Sequence, residues 1–114
     1  MPGQSARNET QLVSAITGSI TGRWPNAWCL KVHGGGFQRA GVPDLLVCVD
    51  GHLFGLEVKH QKPGESEEAM LRRVTMLQRR ELRDLANAGA VSAVVWSVEQ
   101  ALEIIEERVG HRPQ

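Results

Sequence analysis

Two acids and a lysine stand where a small domain is expected to place apolar side chains. Asp44, Glu57 and Lys59 fall within GVPDLLVCVDGHLFGLEVKH, residues 41–60, the most strand-like stretch of the chain. It reads as two strands, 42–49 and 52–60, joined at Asp50-Gly51, a dipeptide favoured in two-residue hairpin turns, whose central residues need positive φ. With that turn, residues whose numbers sum to 101 are opposed, so Asp44 faces Glu57. Directly opposed residues share a face, with Cβ atoms roughly 5 Å apart. Lys59 lies on the same face, two residues beyond Glu57.

Opposed carboxylates repel, so the arrangement needs a proton, a cation or both to offset it. Lys59 supplies one positive charge. A divalent ion supplies more, and carboxylate oxygens are the ligands that hard ions such as Mg²⁺ prefer. Pro43 has no N–H for a ladder and marks a strand start or an edge, leaving Asp44 at the open end of the hairpin within reach of substrate. Gly55, opposite Leu46, permits close approach of a backbone or a helix. The competing interpretation is a half-exposed hairpin carrying a solvated salt-bridge set.

The elements that must position these groups follow from periodicity and punctuation. Asn8 can cap a helix whose apolar face is Leu12, Val13, Ile16 and Ile20, ended by Gly22. Residues 27–32 (AWCLKV) read as a strand, followed by a flexible HGGG at 33–36. Residues 62–68 contain Pro63-Gly64 and read as a loop. A second helix runs from about Met70 or Thr75 to Asn87 on Leu71, Val74, Met76, Leu77, Leu82 and Leu85, and Gly89 ends it. Residues 91–98 (VSAVVWSV) read as a strand buried on both faces, and 99–109 as a last helix. The order α-β-β-β-α-β-α makes an α/β fold, a mixed sheet of about four strands flanked by helices. It forms one domain over 1–114, with tails at 1–7 and 110–114.

A chain of 114 residues has room for one core. Thirteen Lys+Arg against thirteen Asp+Glu give zero formal charge, so a nucleic-acid partner would have to be held by a local cluster of cations rather than by overall charge. Such cations are Lys31 and Arg39, which flank the glycine segment, and Arg72, Arg79, Arg80 and Arg83 on the second helix. Cys29 and Cys48 fit no metal spacing, lie in apolar runs, and read as small core residues in a reducing compartment. No apolar run reaches the ~18 residues of a membrane span, and the first residues lack signal-peptide organisation. A cytoplasmic location is expected.

Pro43-Asp44 followed across a hairpin by Glu57-Val58-Lys59 resembles the PD-(D/E)XK nuclease signature. Glu9 in the first helix, Lys31 before the glycines, Gln78 in the second long helix and AGAVSAVVWSVEQA extend the likeness from about Glu9 to Ile105. Over this span the chain resembles the small stand-alone VRR-NUC proteins of phages and bacteria. The resemblance implies a restriction-endonuclease-like α-β-β-β-α-β core and a Mg²⁺- or Mn²⁺-dependent phosphodiesterase cleaving DNA. Asp44, Glu57 and the Val58 carbonyl would hold the ion, and Glu9 would touch its shell. Lys59 would orient or activate the attacking water, Gln78 would hold the site or substrate, and Lys31 and Arg39 would contact phosphates. The expected substrate is branched or flapped DNA, as for a Holliday-junction resolvase, and the expected assembly is a homodimer. Alternatives are a nuclease-fold DNA-binding module without catalysis and a structural α/β protein.

Overall fold

The computed structural model describes residues 6–32 and 39–110. The glycine segment at 33–36, and the tails at 1–5 and 111–114, lie outside the described residues. Helix α1 (Glu9–Arg23) starts at Asn8, whose side chain accepts the Gln11 N–H. It buries Leu12, Val13, Ile16 and Ile20, the face that the spacing predicts. Strands β1 (Trp28–Lys31), β2 (Leu45–Val49) and β3 (His52–Val58) form an antiparallel meander. Asp50 and Gly51 have φ of 51° and 83°, so the hairpin turns on two left-handed residues and holds Val49 opposite His52.

Of the two starts that the sequence allows for the second long helix, the structure takes Thr75, and a separate short helix precedes it. Helix α2 (Glu67–Arg72) is capped by Ser66, and α3 (Met76–Asn87) by Thr75. Thr75 and Gln78 form a reciprocal capping box, and Thr75 at ψ 164° is extended, so the apolar spacing that runs across residues 73–75 does not correspond to one continuous cylinder. Met70 and Val74 are buried, whereas Met76 and Leu77, expected on the apolar face, are 87% and 50% exposed. Strand β4 (Val91–Val95) pairs parallel with β3. It is shorter than expected because Ser97 caps helix α4 (Val98–Val109), and it is half-buried rather than buried on both faces because it lies at the end of the sheet order β1-β2-β3-β4.

The mixed sheet has two unlike faces. Leu45, Val47 and Val49, with Phe54, Leu56 and Val58, point to one face and bury against Ile16, Ile20, Ala101 and Ile105 of α1 and α4. On the other face α3 crosses β3 and β4. Leu85 sits where a Gly55 Cβ would be, 2.2 Å from that position, and Ser92 Oγ donates to the Leu82 carbonyl at 2.7 Å. Trp28, Leu30 and Leu53 stay exposed there, beyond the reach of α3. Both cysteines are free and half-buried, Cys29 packing at the core's margin. Among the described residues no helix is long and apolar enough to cross a membrane.

The segment leading into β2 is set by close contact with α3. Gly41 has φ of 88°, and a Cβ there would lie 2.6 Å from the Leu77 carbonyl oxygen and 3.0 Å from the Gln78 nitrogen. Gly51 shares the left-handed φ but has open space around it. Left-handed strain of about 1–2 kcal/mol applies to an alanine at either position. Gly41→Ala must in addition displace the start of α3. Urea denaturation should therefore find a clearly larger loss for Gly41→Ala than for Gly51→Ala. Equal losses would mean that the approach of α3 contributes nothing.

Candidate active site

The ladder between β2 and β3 ends at Leu45 opposite Leu56. One step further the same register sets Asp44 opposite Glu57. Asp44 is anchored on both sides: its carbonyl accepts the Val32 N–H at 2.8 Å, and its Oδ2 accepts the Val58 N–H at 2.9 Å. Pro43, buried beneath α3 near Gly55, leads the chain in without needing a donor partner.

Glu57 is 1% exposed and Lys59 7% exposed. The Lys59 ammonium lies 3.5 Å from Glu57 Oε2. No N–H or O–H reaches Glu57 Oε1, which is fully buried. The Asp44 carboxyl interacts with that of Glu57, and two carboxyls can bond only by sharing a proton. Burial first, and then the Asp44 charge, push the Glu57 carboxyl up to about 8, with Lys59 pulling the other way. Burial pushes Asp44 upward too, against the bond from the Val58 N–H. The pair thus stores an electrostatic conflict that Lys59 only partly relieves.

Beside Asp44 opens a cleft of about 180 Å³ lined by Glu9, Thr10, Val13, Lys31 and Val32. Lys31 donates to Ser14 Oγ at 2.8 Å. Glu9 also lines this cleft, but its Oε2 is engaged by Arg73 at 3.2 Å and by the His60 N–H at 3.3 Å. The structure therefore brings Asp44, Glu57, Lys59, Glu9 and Lys31 to one end of the hairpin. It places Arg39 elsewhere, ion-paired with Glu81 of α3 at 3.0 Å. Gln78 is half-buried at the start of α3, its Oε1 accepting the Thr75 N–H at 2.9 Å, with its backbone against Gly41.

Among the described residues no three His, Cys, Asp or Glu side chains stand together as a ready metal cluster. Two adjacent hard oxygen donors, one without a hydrogen-bond donor, nevertheless fit a divalent ion well, because such an ion would relieve both the repulsion and the orphaned oxygen.

Arg73 is the site-adjacent residue that sequence reasoning missed. Its guanidinium meets Glu9, Glu65 and the His60 carbonyl. The Thr75-x-x-Gln78 capping box is the signal that could have found it, since a helix restarting at Thr75 leaves Arg73 in a turn instead of on a helix face.

No protein-family profile and no curated protein matches the chain. A solved structure described as a VRR_NUC domain superposes with a TM-score of 0.62 at 25% identity, over 89% of this chain and 97% of its own. The chain has a VRR-NUC-like nuclease fold. The restriction-endonuclease-like arrangement expected from the sequence is present, with a four-stranded mixed sheet flanked by helices. On this VRR-NUC-like frame, Asp44 and Glu57 lie at the end of the central hairpin, outside the hydrophobic core.

The Glu57 shift makes stability pH-dependent. The unfolded chain releases this proton near pH 4.5, while the folded protein keeps it to about pH 8. The folded state then binds more protons between these values, and stability falls as pH rises through them. In EDTA, unfolding free energy from urea titration should be lower at pH 8 than at pH 5.5. Glu57→Gln should flatten that slope and be the more stable protein at pH 8. An unchanged slope in Glu57→Gln would remove Glu57 as its source.

Proposed function

We propose that this protein is a Mg²⁺- or Mn²⁺-dependent endonuclease that hydrolyses DNA phosphodiester bonds, acting on branched or flapped DNA in the cytoplasm. The observation that carries this reading is the Asp44–Glu57–Lys59 constellation, its last two members buried, at the open end of the hairpin of a nuclease fold. Asp44 and Glu57 hold the ion. The Val58 carbonyl joins them, since in an extended strand it points to the same edge as the N–H that reaches Asp44. Glu9, tied to Arg73, would touch the ion's shell directly or through water. The bound ion lowers the pKa of a water molecule and neutralises charge on the phosphate.

Lys59, a compact cation held against Glu57, orients the attacking water and stabilises charge developing on the scissile phosphate. Gln78 secures the loop before Asp44 from the start of α3. Lys31, on the cleft wall, and Arg39 contact flanking phosphates. Arg79, Arg80 and Arg83 line a further surface cavity of about 410 Å³ with Met76 and Leu77, so a chain of zero net charge still presents a concentrated cationic face to a polyanion. The homodimer uses the other open surface. Trp28, Leu30 and Leu53 are uncharged and lie on the β1 side of the sheet, where a second copy can meet them without like-charge repulsion.

Cleavage of junction, flap, fork and linear duplex DNA in Mg²⁺, Mn²⁺ or EDTA tests this directly. Metal-dependent cutting is expected, strongest on branched forms, and abolished by Asp44→Asn or Glu57→Gln without loss of fold. Mn²⁺ should raise the melting temperature of the wild type, by mass action worth about 2.7 kcal/mol at a hundredfold over Kd. It should not do so in the Asp44→Asn/Glu57→Gln double variant. DNA binding without cutting would indicate an inactive module, and neither binding nor cutting a structural protein.

Catalysis and binding separate at Lys59. Lys59→Met should slow single-turnover cleavage by ~10²–10³ with little change in DNA affinity measured in Ca²⁺, because its charge acts where negative charge develops. Arg39→Ala should instead weaken affinity modestly and lower the salt slope by about one. Cutting by Lys59→Met at the wild-type rate when saturated would reduce Lys59 to a DNA contact.

A further inference from the structure

We infer that Arg73, held by Glu65, is a positioning residue that sets Lys59 in place through the His60 peptide. Lys59's catalytic role rests on the nuclease reading, whereas the bracket itself stands on geometry alone. Strand β3 ends at Val58, so Lys59 and His60 lie past the ladder that orders the residues before them. Among the described residues, the Lys59 N–H alone of these groups still bonds to the sheet, donating to the Val95 carbonyl at 3.0 Å.

Tertiary bonds take over from there. The His60 carbonyl accepts Arg73 Nη2 at 2.7 Å, the His60 N–H donates to Glu9 Oε2 at 3.3 Å, and Arg73 Nη1 donates to the same Glu9 oxygen at 3.2 Å. One guanidinium thereby closes a ring that contains both polar groups of the His60 backbone. The His60 ring adds a bond to the Ala6 carbonyl at 2.7 Å.

Arg73 is itself fixed. Its Nε and Nη2 bond the two oxygens of Glu65 at 2.9 Å each, a fork-to-fork contact that fixes the guanidinium plane. Glu65 is in turn oriented by the Lys62 N–H at 3.0 Å and by its own backbone bond to the Lys62 carbonyl at 2.9 Å. Arg73 is the C-cap of α2, in the turn before the helix restart at Thr75, and from there its side chain reaches the residues just past β3. Its guanidinium makes four bonds from three nitrogens held in one plane, which is a task that lysine, a point charge on a flexible stem, cannot perform.

Misplacing a reacting group by about 1 Å can cost ~10² in rate. Arg73→Lys should therefore lower kcat about 10- to 100-fold while KM for DNA stays within about threefold. In a Lys59→Met background the same change should cost little more, because the group being positioned is gone. The Mn²⁺-induced rise in melting temperature should persist, since Asp44 and Glu57 are placed by the hairpin. Glu65→Gln, a milder lesion, should shift the same quantities in the same direction and serves if Arg73→Lys fails to fold.

Amide hydrogen exchange supplies a readout that needs no activity. In Arg73→Lys the Lys59 and His60 amides should exchange at least about tenfold faster, with Leu56 unchanged. Unchanged exchange at His60 would overturn the bracket. An equal loss of rate with and without Lys59, or a rise in KM alone, would overturn the positioning role and make Arg73 a phosphate contact. If the wild type cuts none of the DNAs, the nuclease reading fails by itself, and exchange alone decides whether the bracket holds.

Discussion

The structure depends on a confrontation between two carboxyl groups, Asp44 and Glu57, forced into register by a two-residue turn. Asp50 and Gly51 fix Val49 opposite His52, and the pairing then admits no choice up to Leu45 opposite Leu56. A slip by one residue would turn Leu45, Val47, Phe54 and Leu56 out of the core, so the register cannot relax to separate the acids. These four, with Val49 and Val58, are almost completely buried on the opposite face. Fully burying such side chains is worth about 1.5–3 kcal/mol each, whereas a buried ion costs several kcal/mol. Apolar burial on one face therefore outweighs electrostatic conflict on the other.

That division of labour extends through the sheet. The core face is covered by α1 and α4, which Arg23 and Glu106 also join at 2.6 Å. The opposite face is shared between α3, which comes close enough to need glycine at positions 41 and 55, and an uncovered apolar zone around Trp28 and Leu30. Asp44 and Glu57 sit at the end of the hairpin where the chain entering under α3 meets the cleft wall of α1. There Glu57 and Lys59 are buried side by side, while Asp44 remains partly open to the cleft.

Local signals in the sequence were sufficient for the hairpin, its turn, the register that opposes Asp44 to Glu57, and the buried face of α1. Each rests on residues close in the chain and on a single period. The sequence failed where two local rules competed. Apolar spacing allows a start at Met70 or at Thr75, and the Thr75/Gln78 capping box decides for Thr75, with Met76 and Leu77 exposed in the first turn. Composition alone could not reveal that β4 ends the sheet order, since VSAVV has the same letters at a centre or an edge. The resemblance gives Gln78 a place holding the site or substrate, and its side chain is engaged as a helix cap. Arg39 was read beside the glycines and pairs instead with Glu81, 42 residues away along the chain.

The candidate site thus combines two kinds of positioning with different demands on sequence. Asp44 and Glu57 are set by strand register, which any hairpin with the same turn and alternation reproduces, and for that reason they could be read directly. Lys59 is past the end of the ladder, and what holds its neighbour His60 comes from Glu9, 51 residues before it, and from Arg73, 13 residues after it. Such bonds have no periodic signature, because they form only after α1, β3 and the α2–α3 turn have packed. A carboxyl pair built on paired strands is held by the ladder itself. Lys59, just beyond them, keeps one backbone bond to Val95 of the sheet and draws the rest of its support from side chains distant in sequence.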